Sequence, residues 1–233
     1  MPINFGICRI GDSMESFFGE IEGAGFEIIE EEFNSCLTGH GRVERLWTGA
    51  RWVEGPVWFP AGKFLLFSDI PNNRMLRWDE TNGSVSEFRK PSNFSNGNTR
   101  DLQGRLITCQ HFTRSVTRTE HSGEVTTLAS HFDGKRLNSP NDVVVKSDGS
   151  IWFTDPDYGI MSDYEGCKSP NEQDSCNVFR IDQKTGNIHL ITDRLVKPNG
   201  LCFNNSEDKL YVSDTGGSHV AGGPRHIYSF DLK

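Results

Sequence analysis

The 233-residue sequence lacks several features that would place a protein in a familiar class at once. No apolar run approaches the roughly 20 residues that a membrane-spanning helix needs, and the N-terminus lacks the basic and then apolar layout of a secretory signal. Basic residues are outnumbered, 24 against 32 acids, so the formal net charge is -8. That balance argues against nucleic acid and anionic membranes as partners. We therefore expect a soluble, cytoplasmic protein.

Several chemical signatures are also missing. The sequence contains no C-x-x-C pair, which argues against a zinc knuckle, and no G-x-S-x-G, P-loop or H-E-x-x-H motif. Of the six cysteines, Cys109 and Cys202 lie in strand-like runs, where a free thiol behaves as a small buried apolar group. Cys167 and Cys176 flank a loop and would pair only in an oxidising compartment. The sequence leaves that pairing open.

The chain divides by composition into two parts. Residues 1–40 form an acidic N-terminal arm with glycines that weaken any helix, and we assign it no chemistry. Residues 41–233 read as short strands joined by tight turns such as Asn82-Gly83 and Asp148-Gly149. We therefore expect an all-β fold for this second part, with one body and not two small domains.

Four short stretches of the second part repeat one another. Each begins with an oxygen-bearing side chain at or before a strand, and a small polar pair follows, its second residue 14 or 15 positions after the first of the stretch. The four stretches are Glu54-Gly55-Pro56-Val57, Asn96-Gly97-Asn98-Thr99, Asn141-Asp142-Val143-Val144 and Asn199-Gly200-Leu201-Cys202. A near-constant offset indicates that one supersecondary unit is built repeatedly, so the first residues occupy equivalent places.

The spacing of these units is typical of a β-propeller, whose blades of four antiparallel strands recur every 40 to 45 residues or so. Gly55 and Gly97 are 42 residues apart, and Asn96 and Asn141 are 45 apart. The third interval is longer because residues 156–176 read as a loop insertion, which would lie at the rim where it can cover a pocket. The fourth unit is cut short near Lys233. We expect that about two blades of a closed ring are absent, and the alternative is a four-bladed ring.

Equivalent positions in a ring converge on its axis, so the first residues of the units suggest a binding site. Glu54, Asn141 and Asn199 would supply one carboxylate and two amide oxygens. This hard, weakly charged set suits one divalent cation, Ca²⁺ first or Mg²⁺, with Mn²⁺ and Zn²⁺ as alternatives. Taken singly, each residue is also normal at a turn. A fourth ligand is not evident.

With these repeats and their flanking motifs, the sequence resembles the senescence marker protein, gluconolactonase and luciferin-regenerating enzyme family. The resemblance is strongest to the bacterial gluconolactonase-like branch of that family. The resemblance spans about residues 26 to 233. The motifs that carry it are Glu54-Gly55-Pro56-Val57-Trp58, Ser139-Pro140-Asn141-Asp142-Val143, Phe153-Thr154-Asp155-Pro156, Tyr158-Gly159 and Pro198-Asn199-Gly200-Leu201. It implies a six-bladed propeller, of which this chain covers about four blades, with a catalytic divalent cation in the channel mouth.

The resemblance also implies roles for particular residues. Glu54, Asn141 and Asn199 match three of the four metal-site positions of the family. The fourth, an aspartate that is also its candidate general base, would fall beyond Lys233, so the catalytic base is not assigned here. In the implied mechanism the cation polarises a lactone carbonyl and lowers the pKa of a bound water, and a carboxylate takes the proton of that water.

We therefore expect a metal-dependent hydrolase that opens a gluconolactone-like sugar lactone to its hydroxy acid. Asn96, His111 and Tyr158 would border the substrate pocket, and His111 would either bind substrate hydroxyls or lie in a surface loop. The recurring Asp69, Asp155 and Asp214 fit turn-capping better than acid or base chemistry. Two alternatives remain, a non-catalytic binding or scaffold propeller and a related propeller synthase without metal chemistry.

Overall fold

The structure is a computed structural model that describes residues 19–20, 25–39 and 41–232. Residues 1–49 and 50–233 form two compact units. In the first, strand β1 (Gly19–Glu20) pairs with β2 (Glu44–Arg45), and a 3-10 helix spans Glu31–Cys36. Residues 1–18, 21–24 and 40 of the acidic arm lie outside the described residues. No helix within the described ranges is both long and apolar enough to cross a membrane.

Four antiparallel sheets follow one another along the second unit, and each is a propeller blade. Blades 1 to 3 have four strands and blade 4 has three among the described residues. Blade 1 contains β3 (Val53–Phe59), β4 (Phe64–Asp69), β5 (Arg74–Asp79) and β6 (Val85–Arg89), and blade 2 contains β7 (Ser95–Arg100), β8 (Leu106–Gln110), β9 (Ser115–Thr119) and β10 (Val125–Ala129). A short hairpin, β11 (His131–Phe132) and β12 (Lys135–Arg136), leads to blade 3, which contains β13 (Val143–Val145), β14 (Ile151–Asp155), β15 (Asn177–Ile181) and β16 (Ile188–Thr192). Blade 4 contains β17 (Pro198–Phe203), β18 (Lys209–Asp214) and β19 (His226–Asp231).

The hydrophobic core is divided among the interfaces between adjacent blades. Side chains of blades 1 and 2, including Leu66 and Leu106, form one cluster. A larger cluster joins blades 2 and 3 around Ile107, Phe153 and Phe179, and a third joins blades 3 and 4. Phe153 and Phe179 are completely buried, and burial of one such ring stabilises a fold by about 1.5–3 kcal/mol. The all-β propeller prediction is therefore confirmed, because each blade buries its faces against its neighbours.

The cysteines follow the predictions only in part. Cys109 is buried in the core between blades 2 and 3, as expected, and Cys167 and Cys176 are both free. The prediction for Cys202 is wrong, because this residue is exposed. Its neighbour Leu201 takes the buried position in β17, and successive residues of a strand point to opposite faces. Cys202 therefore faces away from the core between blades 3 and 4.

The predicted insertion lies between β14, which ends at Asp155, and β15, which begins at Asn177. It contains the short helix α1 (Tyr158–Met161). Two backbone hydrogen bonds fold the insertion back on this helix, from Cys167 N to Gly159 O at 3.0 Å and from Ser169 N to Ile160 O at 3.1 Å. Gly166 lies so close to Gly159 that a Cβ at 166 would be 2.1 Å from the Gly159 carbonyl oxygen. These contacts hold residues 166–169 of the insertion against helix α1.

Candidate metal and substrate site

In blades 1, 2 and 4 the innermost strand is interrupted near the first residue of its repeat. The pairing of β3 with β4 shifts between Glu54 and Val57, and that of β7 with β8 shifts between Ser95 and Asn98. Strand β17 shows the same irregularity between Pro198 and Leu201. In blade 3 the equivalent segment precedes β13. Such bulges re-aim side chains and are over-represented next to active sites. Glu54, Asn96 and Asn199 lie in these bulges, and Asn141 lies in the corresponding segment before β13.

These bulges pack on one another in chain order. Gly55 lies against the next bulge, where a Cβ on residue 55 would be 2.1 Å from Asn96 O. Gly97 N donates to Asn141 O at 2.7 Å, which joins blade 2 to blade 3. Thr154 Oγ1 then donates to Asn199 O at 2.7 Å, which joins blade 3 to blade 4. The four predicted residues therefore form one continuous arc along the innermost strands.

The oxygen donors of the predicted metal site are largely free of other partners. Asn141 is 3% exposed, and its Oδ1 is a buried oxygen that receives no hydrogen bond from any described residue. Glu54 Oε1 accepts a hydrogen bond from Trp52 Nε1 at 2.8 Å, which leaves Oε2 without a described partner. An orphaned buried carbonyl oxygen is unfavourable unless a ligand or water satisfies it. This is the arrangement that a cation ligand would show.

Two further carboxyl groups, which sequence reasoning did not select, share the electrostatic environment of Glu54. Burial raises the pKa of Asp142 to about 6, and the charge of Glu54 adds to this effect. Burial and the charge of Glu54 also raise the pKa of Glu165 in the insertion. Like charges in one place disfavour ionisation. Asp142 was visible in the sequence beside Asn141, but the approach of Glu165 depends on how the insertion folds.

The recurring aspartates are structural hydrogen-bond acceptors, although the backbone groups described here lie 17 or 18 residues earlier in the chain and not in a turn that the aspartate caps. Each carboxylate accepts backbone N–H groups from the segment that leads into the innermost strand of its blade. The donors are Arg51 N to Asp69 at 3.0 Å, Asn138 N to Asp155 at 2.8 Å, and Val196 N and Lys197 N to Asp214 at 2.8 and 2.9 Å. These hydrogen bonds therefore fix the segment that leads into the innermost strand of each blade, next to the first residue of the repeat.

Burial raises the pKa of Asp155 to about 8. A carboxyl group with a pKa this high is a candidate for acid or base chemistry when it lies in a cleft. Asp155 is completely buried, however, so a substrate has no access to it.

His111 follows the end of β8, as predicted, but the surface-loop alternative is wrong because the residue is only 1% exposed. Its Nδ1 lies 2.8 Å from the carbonyl oxygen of Glu165, and its Nε2 lies 3.3 Å from Asn96 Nδ2. Both ring nitrogens are therefore occupied by the protein. The structure brings His111 to Asn96, and its direct contact with substrate stays a prediction.

Tyr158 lies at the start of α1, and its hydroxyl group is already engaged in blade 4. It is 2.8 Å from Thr215 Oγ1 and 3.0 Å from Ser218 Oγ. Lys197 Nζ lies 5.3 Å from the centre of the Tyr158 ring and forms an ion pair with Asp157. Tyr158 therefore fastens the insertion to the turn after β18. Its predicted place at the pocket border stays a prediction.

Within the described ranges, no three histidine, cysteine, aspartate or glutamate side chains come together as a metal-binding group. The predicted ligand set is of another type, since it combines one carboxylate with two amides. No described residue donates to the side chain of Asn199 either. The assignment of Glu54, Asn141 and Asn199 as metal ligands stays a prediction.

Comparisons with known proteins agree with this architecture. A family model described as the SMP-30/Gluconolactonase/LRE-like region matches residues 52–231. Gluconolactonase from Zymomonas mobilis subsp. mobilis is 35% identical in an alignment 204 residues long, and the alignment covers 81% of this chain and 55% of that protein. The structure of a gluconolactonase from Xanthomonas campestris is 38% identical, with a TM-score of 0.77, and the match covers 83% of this chain and 62% of that chain.

Regucalcin from Agrobacterium tumefaciens, described as a calcium-binding protein, shows likeness of fold alone. It is 14% identical, with a TM-score of 0.59 over 80% of this chain and 56% of that chain. The chain thus spans 55% of the length of the Zymomonas relative and 62% of the Xanthomonas chain. With a family match over residues 52–231, this chain belongs to the SMP-30/Gluconolactonase/LRE-like family.

Proposed function

We propose that the protein is a metal-dependent hydrolase that opens a gluconolactone-like sugar lactone to its hydroxy acid. The observation that carries the proposal is the arc of equivalent bulges, in which the buried Oδ1 of Asn141 has no partner among the described residues. The names of the Zymomonas and Xanthomonas relatives support lactone hydrolysis as the reaction. Because the chain spans just over half of these proteins, the activity is proposed for the whole protein.

The residues present fit a hard divalent cation. Glu54, Asn141 and Asn199 would hold it through oxygen atoms, which Ca²⁺ and Mg²⁺ prefer. The carboxyl groups of Asp142 and Glu165 are disfavoured as anions partly by the charge of Glu54, and a positive ion nearby would relieve that repulsion. When bound, the cation would supply Lewis acidity for the lactone carbonyl and would lower the pKa of a water molecule.

The chain would contribute the positioning of the substrate. Asn96 lies in the arc between Glu54 and Asn141, and no described residue donates to its Oδ1, so this atom can accept a hydrogen bond from a sugar hydroxyl. The insertion at 156–176 is fastened to blade 2 through His111 and to blade 4 through Tyr158. A segment held at both sides can exclude water around a bound lactone.

The remaining parts of the proposal concern partners. A small-molecule lactone is the expected ligand, and the net charge of -8 argues against nucleic acid and anionic membranes. Calcium is the first candidate for the ion because the ligand set is all oxygen. The cytoplasmic location stays a prediction.

Removal of the metal is expected to abolish catalysed lactone opening. The protein would be treated with EDTA, dialysed, and assayed for proton release from glucono-δ-lactone with Ca²⁺, Mg²⁺, Mn²⁺ or Zn²⁺, with the spontaneous rate subtracted. We expect at least one cation to restore activity in the native protein, and none to do so in Glu54→Gln, which keeps the shape of the side chain but loses its charge. Hydrolysis that persists without metal would contradict the metal requirement. If no cation elicits hydrolysis, the enzyme proposal fails in favour of a binding propeller.

A further inference from the structure

His111 is 1% exposed and contacts both blade 2 and the insertion. Its backbone N donates to Phe94 O at 3.1 Å, which fixes the residue beside the start of β7. Its ring packs directly on the insertion, since a Cβ on residue 159 would be 2.4 Å from His111 Cγ. Only glycine fits at 159 without displacing the ring. The imidazole therefore has one defined position between the arc and the insertion.

The partners of the ring define its protonation. The oxygen of Glu165 that lies 2.8 Å from Nδ1 is a backbone carbonyl, which only accepts, so Nδ1 carries the proton. Burial lowers the pKa of His111 to about 4, so the ring is neutral near pH 7. Nε2 is then the unprotonated nitrogen and accepts a hydrogen bond from Asn96 Nδ2 at 3.3 Å.

The orientation of the Asn96 carboxamide follows from this tautomer. Its nitrogen is directed at His111, so its oxygen is directed away from His111 as an acceptor. Asn96 is 2% exposed, and no described residue donates to this oxygen. Without the hydrogen bond to His111, the carboxamide could turn over and present its nitrogen, a donor, in place of its oxygen.

We propose that His111 is a positioning residue that links the insertion to the site: through Nδ1–H it holds residue 165, and through Nε2 it fixes Asn96 with Oδ1 as acceptor for a hydroxyl group of the ligand. The ligand part of this inference rests on the proposed lactone hydrolysis. The tautomer and the attachment of the insertion do not depend on it.

Two substitutions separate the hydrogen bond of His111 to Glu165 O from its hydrogen bond with Asn96. His111→Asn places an amide nitrogen near the former Nδ1 and keeps a donor to Glu165 O, but it leaves Asn96 without an acceptor. His111→Gln places an amide oxygen near the former Nε2 and keeps the acceptor for Asn96, but it loses the donor to residue 165. Both variants remove a similar part of the ring that packs on Gly159, so each is the packing control of the other.

The expected results differ between the variants. With glucono-δ-lactone, His111→Asn should raise KM about tenfold, in line with the loss of one hydrogen bond that orients the substrate, and His111→Gln should raise KM by less than about threefold. Tryptic cleavage after the exposed Lys168 should accelerate in His111→Gln more than in His111→Asn. Equal behaviour of the two variants in both measurements would show that His111 contributes only packing, and would overturn the proposal.

A spectroscopic measurement on the native protein is independent of activity. Nitrogen-15 chemical shifts of the His111 ring at pH 7 should show a protonated Nδ1 and an unprotonated Nε2. The opposite tautomer, or an imidazolium, would overturn the inference. If the native protein opens no lactone, the proposed function fails, while the ring tautomer and the cleavage rates still test the attachment of the insertion.

Discussion

Replacement of Asn141 by alanine is expected to weaken binding of the divalent cation, and with it lactone hydrolysis, by about two orders of magnitude or more. The side-chain oxygen has no other partner among the described residues, so its loss removes a proposed ligand and no structural hydrogen bond. The backbone contacts of the residue, Asn141 N to Thr154 O at 2.9 Å and Gly97 N to Asn141 O at 2.7 Å, are available to alanine as well. The unfolding midpoint of the metal-free protein should therefore change little.

The control for this prediction is Asn187→Ala. Asn187 lies in the exposed turn between β15 and β16 of the same blade, and its side chain has no described hydrogen bond. Cation affinity by calorimetry, kcat/KM and thermal unfolding would be measured for both variants. Normal cation affinity in Asn141→Ala would remove Asn141 from the ligand set.

The second large effect is expected at Gly55. This residue has φ +57, and a Cβ there would be 2.1 Å from Asn96 O and 2.8 Å from Gly97 Cα. Gly55→Ala therefore combines left-handed strain, about 1–2 kcal/mol, with overpacking against the neighbouring bulge, about 1–3 kcal/mol. The free energy of unfolding should fall by about 3 kcal/mol, and Glu54 and Asn96 should be displaced.

Gly83→Ala is the matched variant, because Gly83 has φ +69 and nothing lies within 4 Å of a Cβ there. The free energy of unfolding of Gly83→Ala should fall only by the contribution of left-handed strain, about 1–2 kcal/mol. Urea unfolding with a common m-value would measure the difference. Equal losses in the two glycine variants would mean that the bulges are not in close contact, and the continuous arc would be wrong.

Much of the fold was predictable because local patterns determine it. The predicted turn pairs Asn82-Gly83 and Asp148-Gly149 lie between β5 and β6 and between β13 and β14, and each joins two strands of one blade. Strand Ser95–Arg100 is harder to recognise, since Ser95-Asn96-Gly97-Asn98 has few residues that favour strands. Its side chains instead bond to the neighbouring blade, as Asn98 Nδ2 does to Gly55 O at 2.9 Å. Such pairing becomes visible only when the blades are packed together.

The equivalent positions of the candidate site were predictable from the repeats, whereas the contacts around them were not. The constant offset pointed to Glu54, Asn141 and Asn199 without any knowledge of the bulges. The burial of His111 was not predictable, because its partner Glu165 lies 54 residues away in the insertion. The engagement of the Tyr158 hydroxyl by Thr215, 57 residues away, is of the same kind. Contacts between residues so far apart in the sequence depend on how blades and loops pack together, and no local sequence pattern encodes that packing.

The central claim is that donors from three separate blades hold one cation, and anomalous X-ray diffraction from crystals equilibrated with Mn²⁺ tests it most directly. The account predicts one strong anomalous peak bound by oxygen atoms of Glu54, Asn141 and Asn199, and no peak at that place in crystals of Asn141→Ala. A peak bound by other residues, or three donors that contact no common ion, would contradict it.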